Sequence, residues 1–289
     1  MTTRRLALGI FLATGAIGLV VLINHSIPDV GENASQTSLT SEIEGFRRRA
    51  TNGGGFAEYI HERTGIIMVL IGPGSSATGQ IYYDLLLETD EHPAERAKVR
   101  DTTFVPAFLI AKYELSQQQW NAIMGDKASD GTVDELPAAE VSPAAATEFC
   151  KRTGLHIPTL DQWVRAASPS DYESERPTLQ DLCRRGAVNA GLPITENNVK
   201  DGLWPATRGI ENRFGVVNAF GNVGEIVRLP FKMGFFRDSF ALMGGGCMTE
   251  TKFLLKPNTV SGNSVRMHSG LRPVFNFQEI GSLDSAMSD

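Results

Sequence analysis

Ile157-Pro158-Thr159-Leu160-Asp161-Gln162-Trp163-Val164-Arg165-Ala166-Ala167 is the stretch on which the fold turns. Thr159 followed three residues later by Gln162 is a capping box, in which each side chain satisfies the other residue's backbone N–H. It predicts a short helix over 159–167 with Trp163 as its aromatic anchor. Upstream, Ser142-Pro143 predicts another helix over 143–153, since Ser caps well and Pro is tolerated at the first helical position. Gly154 follows as its stop. Farther upstream Ser116 caps a helix over 116–124. Ile66–Ile71 is an apolar run fit for a buried strand, and it ends at Gly72-Pro73-Gly74. Phe104–Tyr113 reads as a second strand, with Pro106 placing its start near an edge or a bend. Glu42–Arg63 reads as helical, interrupted at Asn52-Gly53-Gly54-Gly55, and Gly65 begins the folded core. Past Ser168 periodicity fades, and the chain to Phe277 is rich in Gly, Asn and Pro.

The 289 residues are 42% hydrophobic and 21% charged, an ordinary globular balance. A net charge of −6 and only a short basic cluster, Arg47-Arg48-Arg49, argue against a nucleic-acid partner. Arg4 and Arg5 precede an apolar run, Leu6–Ile23, near the lower length limit for a bilayer-spanning helix. No small-x-small cleavage site follows, so an uncleaved signal anchor is expected, with the remaining chain outside the membrane. Three cysteines, Cys150, Cys183 and Cys247, are too few for a disulfide scaffold and permit one bridge at most.

Several short motifs, in order, resemble the formylglycine-generating enzyme (sulfatase-modifying factor) family. Gly65-Ile66-Ile67-Met68-Val69 resembles its opening strand. Phe108-Leu109-Ile110-Ala111-Lys112-Tyr113-Glu114-Leu115-Ser116 resembles its F-x-I-x-K-x-E-V-T segment. Glu140-Val141-Ser142-Pro143 is similar to its V-S-W helix start, and Phe149-Cys150 to its aromatic-Cys pair. The 157–167 stretch resembles L-P-T-E-A-E-W-E-Y-A-A, the most specific of the set. Phe214-Gly215-Val216-Val217-Asn218-Ala219-Phe220-Gly221-Asn222-Val223-Gly224-Glu225 resembles F-G-L-Y-D-M-x-G-N-V-W-E. Met243-Gly244-Gly245-Gly246 stands for R-G-G-S, and Gly270-Leu271-Arg272 for the closing G-F-R. From the residues alone, Arg272 reads as a buried arginine bonded to carbonyls, and Trp120, Trp163 and Trp204 as core anchors.

The resemblance implies an α+β, C-type-lectin-like fold that is loop-rich with little regular secondary structure. It divides the chain into an anchor over 1–27, a linker and short helix over 28–64, the domain over 65–277 and a tail over 278–289. It also implies two calcium sites, and calcium takes six to eight hard oxygen ligands. The first would use Asn189, the carbonyl of Ala190, Asp201 and the carbonyl of Leu203. The second would use Asn218, the carbonyls of Gly221 and Val223, and Glu225.

The family's oxidase chemistry needs two cysteines after the G-G-S motif, which bind copper(I) as thiolates. Those positions are Thr249 and Leu254 here. Cys247 lies two residues early and alone, a weak catalytic candidate, so copper is not expected. Gly246 stands at the family's Ser, and Gly224 at the aromatic residue before the Glu. No G-x-S-x-G elbow, Walker A loop or dinucleotide fingerprint supplies other machinery. The expectation is a membrane-anchored, extracytoplasmic, non-catalytic binding or scaffolding module stabilised by calcium, with a protein or small-ligand partner. The rival readings are an oxidase or other enzyme acting on a protein cysteine, and a structural subunit of a cell-envelope complex.

Overall fold

In the computed structural model the described residues are 43–79, 81–82, 102–125, 134–167, 203–209, 211–230, 239–246, 249 and 256–277. The expected anchor, the linker to Ser41, and Asn189, Ala190, Asp201, Cys183 and Cys247 lie outside them. Among the described residues no helix is long and apolar enough to cross a membrane.

Residues 46–61 are a hairpin rather than a helix: β1 (Phe46–Thr51) pairs antiparallel with β2 (Ala57–His61). The Asn52-Gly53-Gly54-Gly55 interruption is its turn. Asn52 Oδ1 accepts from the N–H groups of Gly54 and Phe56, holding the loop closed. The folded core therefore starts before Gly65. β2 continues into β3 (Ile67–Ile71), and Gly72-Pro73 leads into β4 (Gly74–Ser76). The run at 104–113 is two strands, β5 (Thr103–Val105) and β6 (Phe108–Ala111), divided at Pro106. β5 pairs with β4, whereas β6 joins the large sheet beside β3.

Three helices follow among the described residues. α1 (Gln117–Met124) carries the Ser116 capping box and ends at left-handed Gly125. α2 (Pro143–Thr153) has Ser142 as cap, Pro at its start and Gly154 as its left-handed stop. α3 (Leu160–Ala167) begins where Thr159 and Gln162 bond reciprocally, at 3.2 and 3.0 Å. The short strands that remain are β7 (Gly224–Arg228), β8 (Phe240–Met243), β9 (Asn258–Val260), β10 (Ser269–Gly270) and β11 (Val274–Asn276).

The large sheet runs β1-β2-β3-β6-β11 and is antiparallel throughout. A second sheet runs β10-β7-β8-β9, with a parallel β10–β7 pair. Alternation along β3 and β6 buries both faces of the large sheet. Val69, Ile71, Phe108 and Ile110 enter one core with Trp163, Phe214 and Phe220. Met68, Leu70, Leu109 and Ala111 enter the other with Trp120, Phe149 and Leu271. The mixed sheets and few helices are the α+β architecture that the motifs imply.

Candidate functional site

The loop 214–225 is fixed from below by one arginine. Arg272 is fully buried and donates through Nη1 to the carbonyls of Ala111 and Lys112, at 3.1 and 2.9 Å. Through Nη2 it reaches the carbonyls of Val217 and Asn218, at 2.7 and 3.1 Å. Its Nε and Nη2 also bond Glu225 Oε1 at 2.8 and 2.6 Å. Trp163 Nε1 donates to Glu225 Oε2 at 2.6 Å, tying α3 to the same carboxylate. The sequence reading of Arg272 as a buried carbonyl-binding arginine agrees with this, and the ion pair with Glu225 adds to it.

A second buried carboxylate stands beside the first. Glu114 accepts from Asn222 Nδ2 at 2.5 Å and from the Val223 N–H at 3.2 Å. Burial pushes its carboxyl up to about 8, against the pull of Arg272 and with a further push from Glu225. Asn222 also clasps Trp204, accepting from its N–H at 3.0 Å and donating to its carbonyl at 3.2 Å. Sequence reasoning gives Asn222 no role. Its signal lies in Gly221-Asn222, since Asn is enriched at left-handed positions and Asn222 has φ 55°.

Of the expected calcium ligands, Leu203, Asn218, Gly221, Val223 and Glu225 lie among the described residues. Asn218 is buried with φ 53°, and its Nδ2 faces the carbonyls of Ala206 and Arg208 at 3.4 and 2.8 Å. Asn222 links the two sets by holding Trp204, the neighbour of Leu203, against the 218–223 loop. Glu225 is the single carboxylate of the second set, and both its oxygens carry hydrogen bonds. Among the described residues no group of three or more His, Cys, Asp or Glu side chains gathers to hold a metal.

The other feature of the site is a cavity of about 620 Å³ over the start of β7 and the end of β8. Gly224, Gly246 and Leu242 form part of it, with Lys256, Arg266 and His268 around them. The Gly224 N–H donates to the His268 carbonyl at 2.7 Å, and His268 itself is held at φ 60°. Thr249, at one of the family's two thiol positions, is also on the wall, where its hydroxyl accepts from the Gly246 N–H at 3.0 Å. Cys150 is elsewhere, a free buried thiol on α2 facing a separate cavity of about 340 Å³. Lys256, Arg266 and Met267 carry no signal in the sequence. They come from segments with no local pattern and meet only in the fold.

The chain's fold is similar to two solved structures. One is described as "Crystal Structure of CarF", at 15% identity and a TM-score of 0.51, covering 73% of this chain and 98% of that one. The other is Treponema denticola variable protein 1, at 15% identity and a TM-score of 0.50, covering 80% and 98%. At this identity the likeness is one of fold. No curated protein matches the chain. The sulfatase-modifying factor enzyme 1-like domain matches over residues 58–276, taking in the hairpin strand β2, the Arg272–Glu225 centre and the cavity. The chain belongs to the sulfatase-modifying factor enzyme 1-like (FGE-sulfatase) domain family.

Proposed function

We propose that this chain is a non-catalytic member of the family, using the fold as a binding or scaffolding module outside the membrane. The observation that carries the reading is the set of residues at the family's motif positions. Thr249 and Leu254 stand at the two thiol positions, and Gly246 and Gly224 replace a hydroxyl and an aromatic side chain of the motif. Two thiolates are what holds copper(I) for the oxidase reaction, and a lone Cys247 does not replace the pair. Fold and activity separate readily, because function resides in sites rather than in the framework. In this reading the Leu6–Ile23 run anchors the chain. The test is to incubate the purified protein with copper, oxygen and a cysteine-containing sulfatase peptide. The expected result is unmodified peptide, and aldehyde formation would overturn the proposal.

Calcium is part of the same proposal, as a structural ion held by Asn189, Ala190, Asp201 and Leu203, and by Asn218, Gly221, Val223 and Glu225. Glu225 is fully buried and ion-paired with Arg272, while burial pushes the neighbouring Glu114 carboxyl up to about 8 and so favours its neutral form. A divalent cation beside the two would favour the ionised form of Glu114. Asn218 turns its amide nitrogen to two carbonyls, which directs its oxygen the other way. Glu225 would have to share its oxygens between the ion and Arg272.

A further inference from the structure

The large sheet ends at β1, and among the described residues no strand pairs with its outer side. Two hydrogen bonds fix which of its groups face outward. The Asn52 N–H donates to the Phe56 carbonyl at 2.9 Å, and the Glu62 N–H to the Gly45 carbonyl at 3.0 Å. In an antiparallel pair, bonded and non-bonded positions alternate. Counted along the register from these two ends, Thr51, opposite Ala57, and Arg48, opposite Tyr59, are non-bonded positions. Their N–H and C=O groups point away from β2. The register shift between Arg48 and Ala50 sets these two positions three residues apart. Phe46 also faces outward, and its N–H donates to the Ile43 carbonyl at 2.9 Å. The edge open to a further strand therefore runs from Arg47 to Thr51, where every side chain is exposed.

Charge decides which strand fits. Arg49 bonds Glu58 at 2.5 Å, Glu58 also meets Lys112, and Lys112 meets Glu211. In that cluster two cations balance two carboxylates. Arg48 lies on the opposite face, its guanidinium 6.0 Å from the Tyr59 ring centre and 3.2 Å from Thr51 Oγ1, both neutral groups. Arg47, opposite Ile60, shares the face of Arg49. Arg47 and Arg48 thus put positive charge on both faces of the strand, in a chain whose net charge is −6. A second copy of β1 would bring two arginine runs together, and like charges across a strand pair repel. Charged side chains and a bulge guard an edge against indiscriminate pairing, and the same arginines favour a strand that carries carboxylates.

We propose that the outer edge of β1, over Arg47–Thr51, binds an extended acidic segment of a partner protein, which adds to the large sheet as a further strand. The outward backbone groups of Arg48 and Thr51 supply its hydrogen bonds, and Arg47 and Arg48 meet its carboxylates. The inference goes beyond the binding-module reading and uses none of the residues on which that reading rests. Aldehyde formation from a sulfatase peptide overturns that reading and leaves this edge as it is. Failure of an acidic strand to bind, with no aldehyde formed, overturns this inference alone.

The test titrates the end-blocked heptapeptide TEVEVET into the full chain in neutral detergent, by isothermal titration calorimetry. Saturable binding is expected, with slowed hydrogen exchange in the 46–52 segment. The glutamine counterpart TQVQVQT should bind about three- to tenfold more weakly, having lost its opposite-charge cross-strand pairs. TEVEVET methylated at every internal backbone nitrogen keeps its charge, cannot donate to a strand, and should not bind. Thr51→Pro removes an outward donor and leaves the bonds to β2 in place, so it should weaken TEVEVET by about threefold or more. Arg47→Glu serves if the proline prevents folding, and should weaken TEVEVET while sparing TQVQVQT. Absence of saturable binding, or equal binding of the methylated peptide, overturns the proposal. So does an unchanged exchange rate over 46–52, or full TEVEVET binding by a Thr51→Pro or Arg47→Glu protein of unchanged melting temperature.

Discussion

The Arg272 guanidinium donates to both carboxylate oxygens of Glu225, at 2.6 Å from Nη2 to Oε1 and 3.0 Å from Nε to Oε2. The two residues are 47 apart in the chain, and neither is more than 1% exposed. A buried ion pair contributes little net over an apolar pair, but losing one partner strands the other. Arg272 also caps four carbonyls, so its loss frees those acceptors as well. Arg272→Met should therefore lower stability by about 3–5 kcal/mol in urea unfolding. Arg272→Lys keeps the charge and loses the fork, and should fall between the variant and the parent. A loss below about 1 kcal/mol for Arg272→Met would show that the pair is not the keystone of the 214–225 loop.

Gly244 and Gly270 are glycines for a steric reason, unlike Gly224, where a β-carbon would make ordinary contacts with Leu242, at 3.4 Å, and the His268 carbonyl, at 3.8 Å. Gly244 has φ 79°, and a β-carbon would collide with the Ala219 carbonyl and press on Trp163 at 3.1 Å. At Gly270 a β-carbon would lie 2.6 Å from Val223 Cγ2. Alanine at either position should cost more than about 1 kcal/mol, whereas Gly224→Ala should be neutral or better. Thermal unfolding of the three variants side by side checks the ordering. Equal melting temperatures for all three would remove the steric distinction between them.

Which parts of this are legible in the sequence follows from range. Caps are local: Ser116 with Gln119, Ser142 with Pro143, and Thr159 with Gln162 act over three residues, and all three helices sit where these signals fall. The hairpin at 46–61 reads as helix in the sequence because β1 is an edge strand. Its five residues after Phe46 are all exposed, so no alternation of apolar and polar residues marks it. Its pairing with β2 is a tertiary fact. The motif order points to the loop 214–225 but not to what holds it. Glu114 and Asn222 are 108 residues apart, and Arg165 reaches the Gly72 and Pro73 carbonyls from more than 90 residues away. The cavity wall is assembled in the same long-range way.

Cys150 should be chemically silent in the folded protein. It is 6% exposed, and burial pushes its thiol up to about 12, so almost no thiolate exists at neutral pH. Iodoacetamide at pH 8 should leave the Cys150 peptide unmodified in native protein and label it fully in denaturant. Peptide mass spectrometry reads the two states. Rapid native labelling of Cys150 would contradict the packing of α2 against α1, where Phe149 stacks on Trp120.

His61 predicts an acid-side loss of stability. Burial lowers its folded pKa below 6.5, with Arg63 adding to the shift and Glu62 opposing it. The unfolded chain therefore binds the proton more readily than the folded one. The contribution is fully present above about 6.5 and is lost as pH falls through the lower folded value. The neutral ring bonds Thr64 Oγ1 at 2.8 Å and lies 4.9 Å from Phe46, so the penalty falls on the β1–β2 hairpin. Stability measured from pH 7 to pH 5 should decline, and His61→Gln should flatten the slope. An identical slope in the variant would assign the acid sensitivity elsewhere.

Calcium, if held as proposed, must show itself as a linkage. A ligand that binds only the folded state stabilises it by RT ln(1 + [L]/Kd), about 2.7 kcal/mol at one hundred times Kd. Excess chelator should lower the melting temperature, and added calcium should restore it while magnesium restores less. Asn218→Gly isolates the second set. Glycine keeps the left-handed φ of 53° without strain and removes the amide oxygen. The variant also loses the bonds to Ala206 and Arg208, so its absolute stability falls whether or not calcium binds. The informative quantity is the calcium-dependent shift, which should shrink in Asn218→Gly. Asp201→Asn should shrink it through the first set. A melting temperature that ignores both chelator and calcium would remove calcium from the account of this fold.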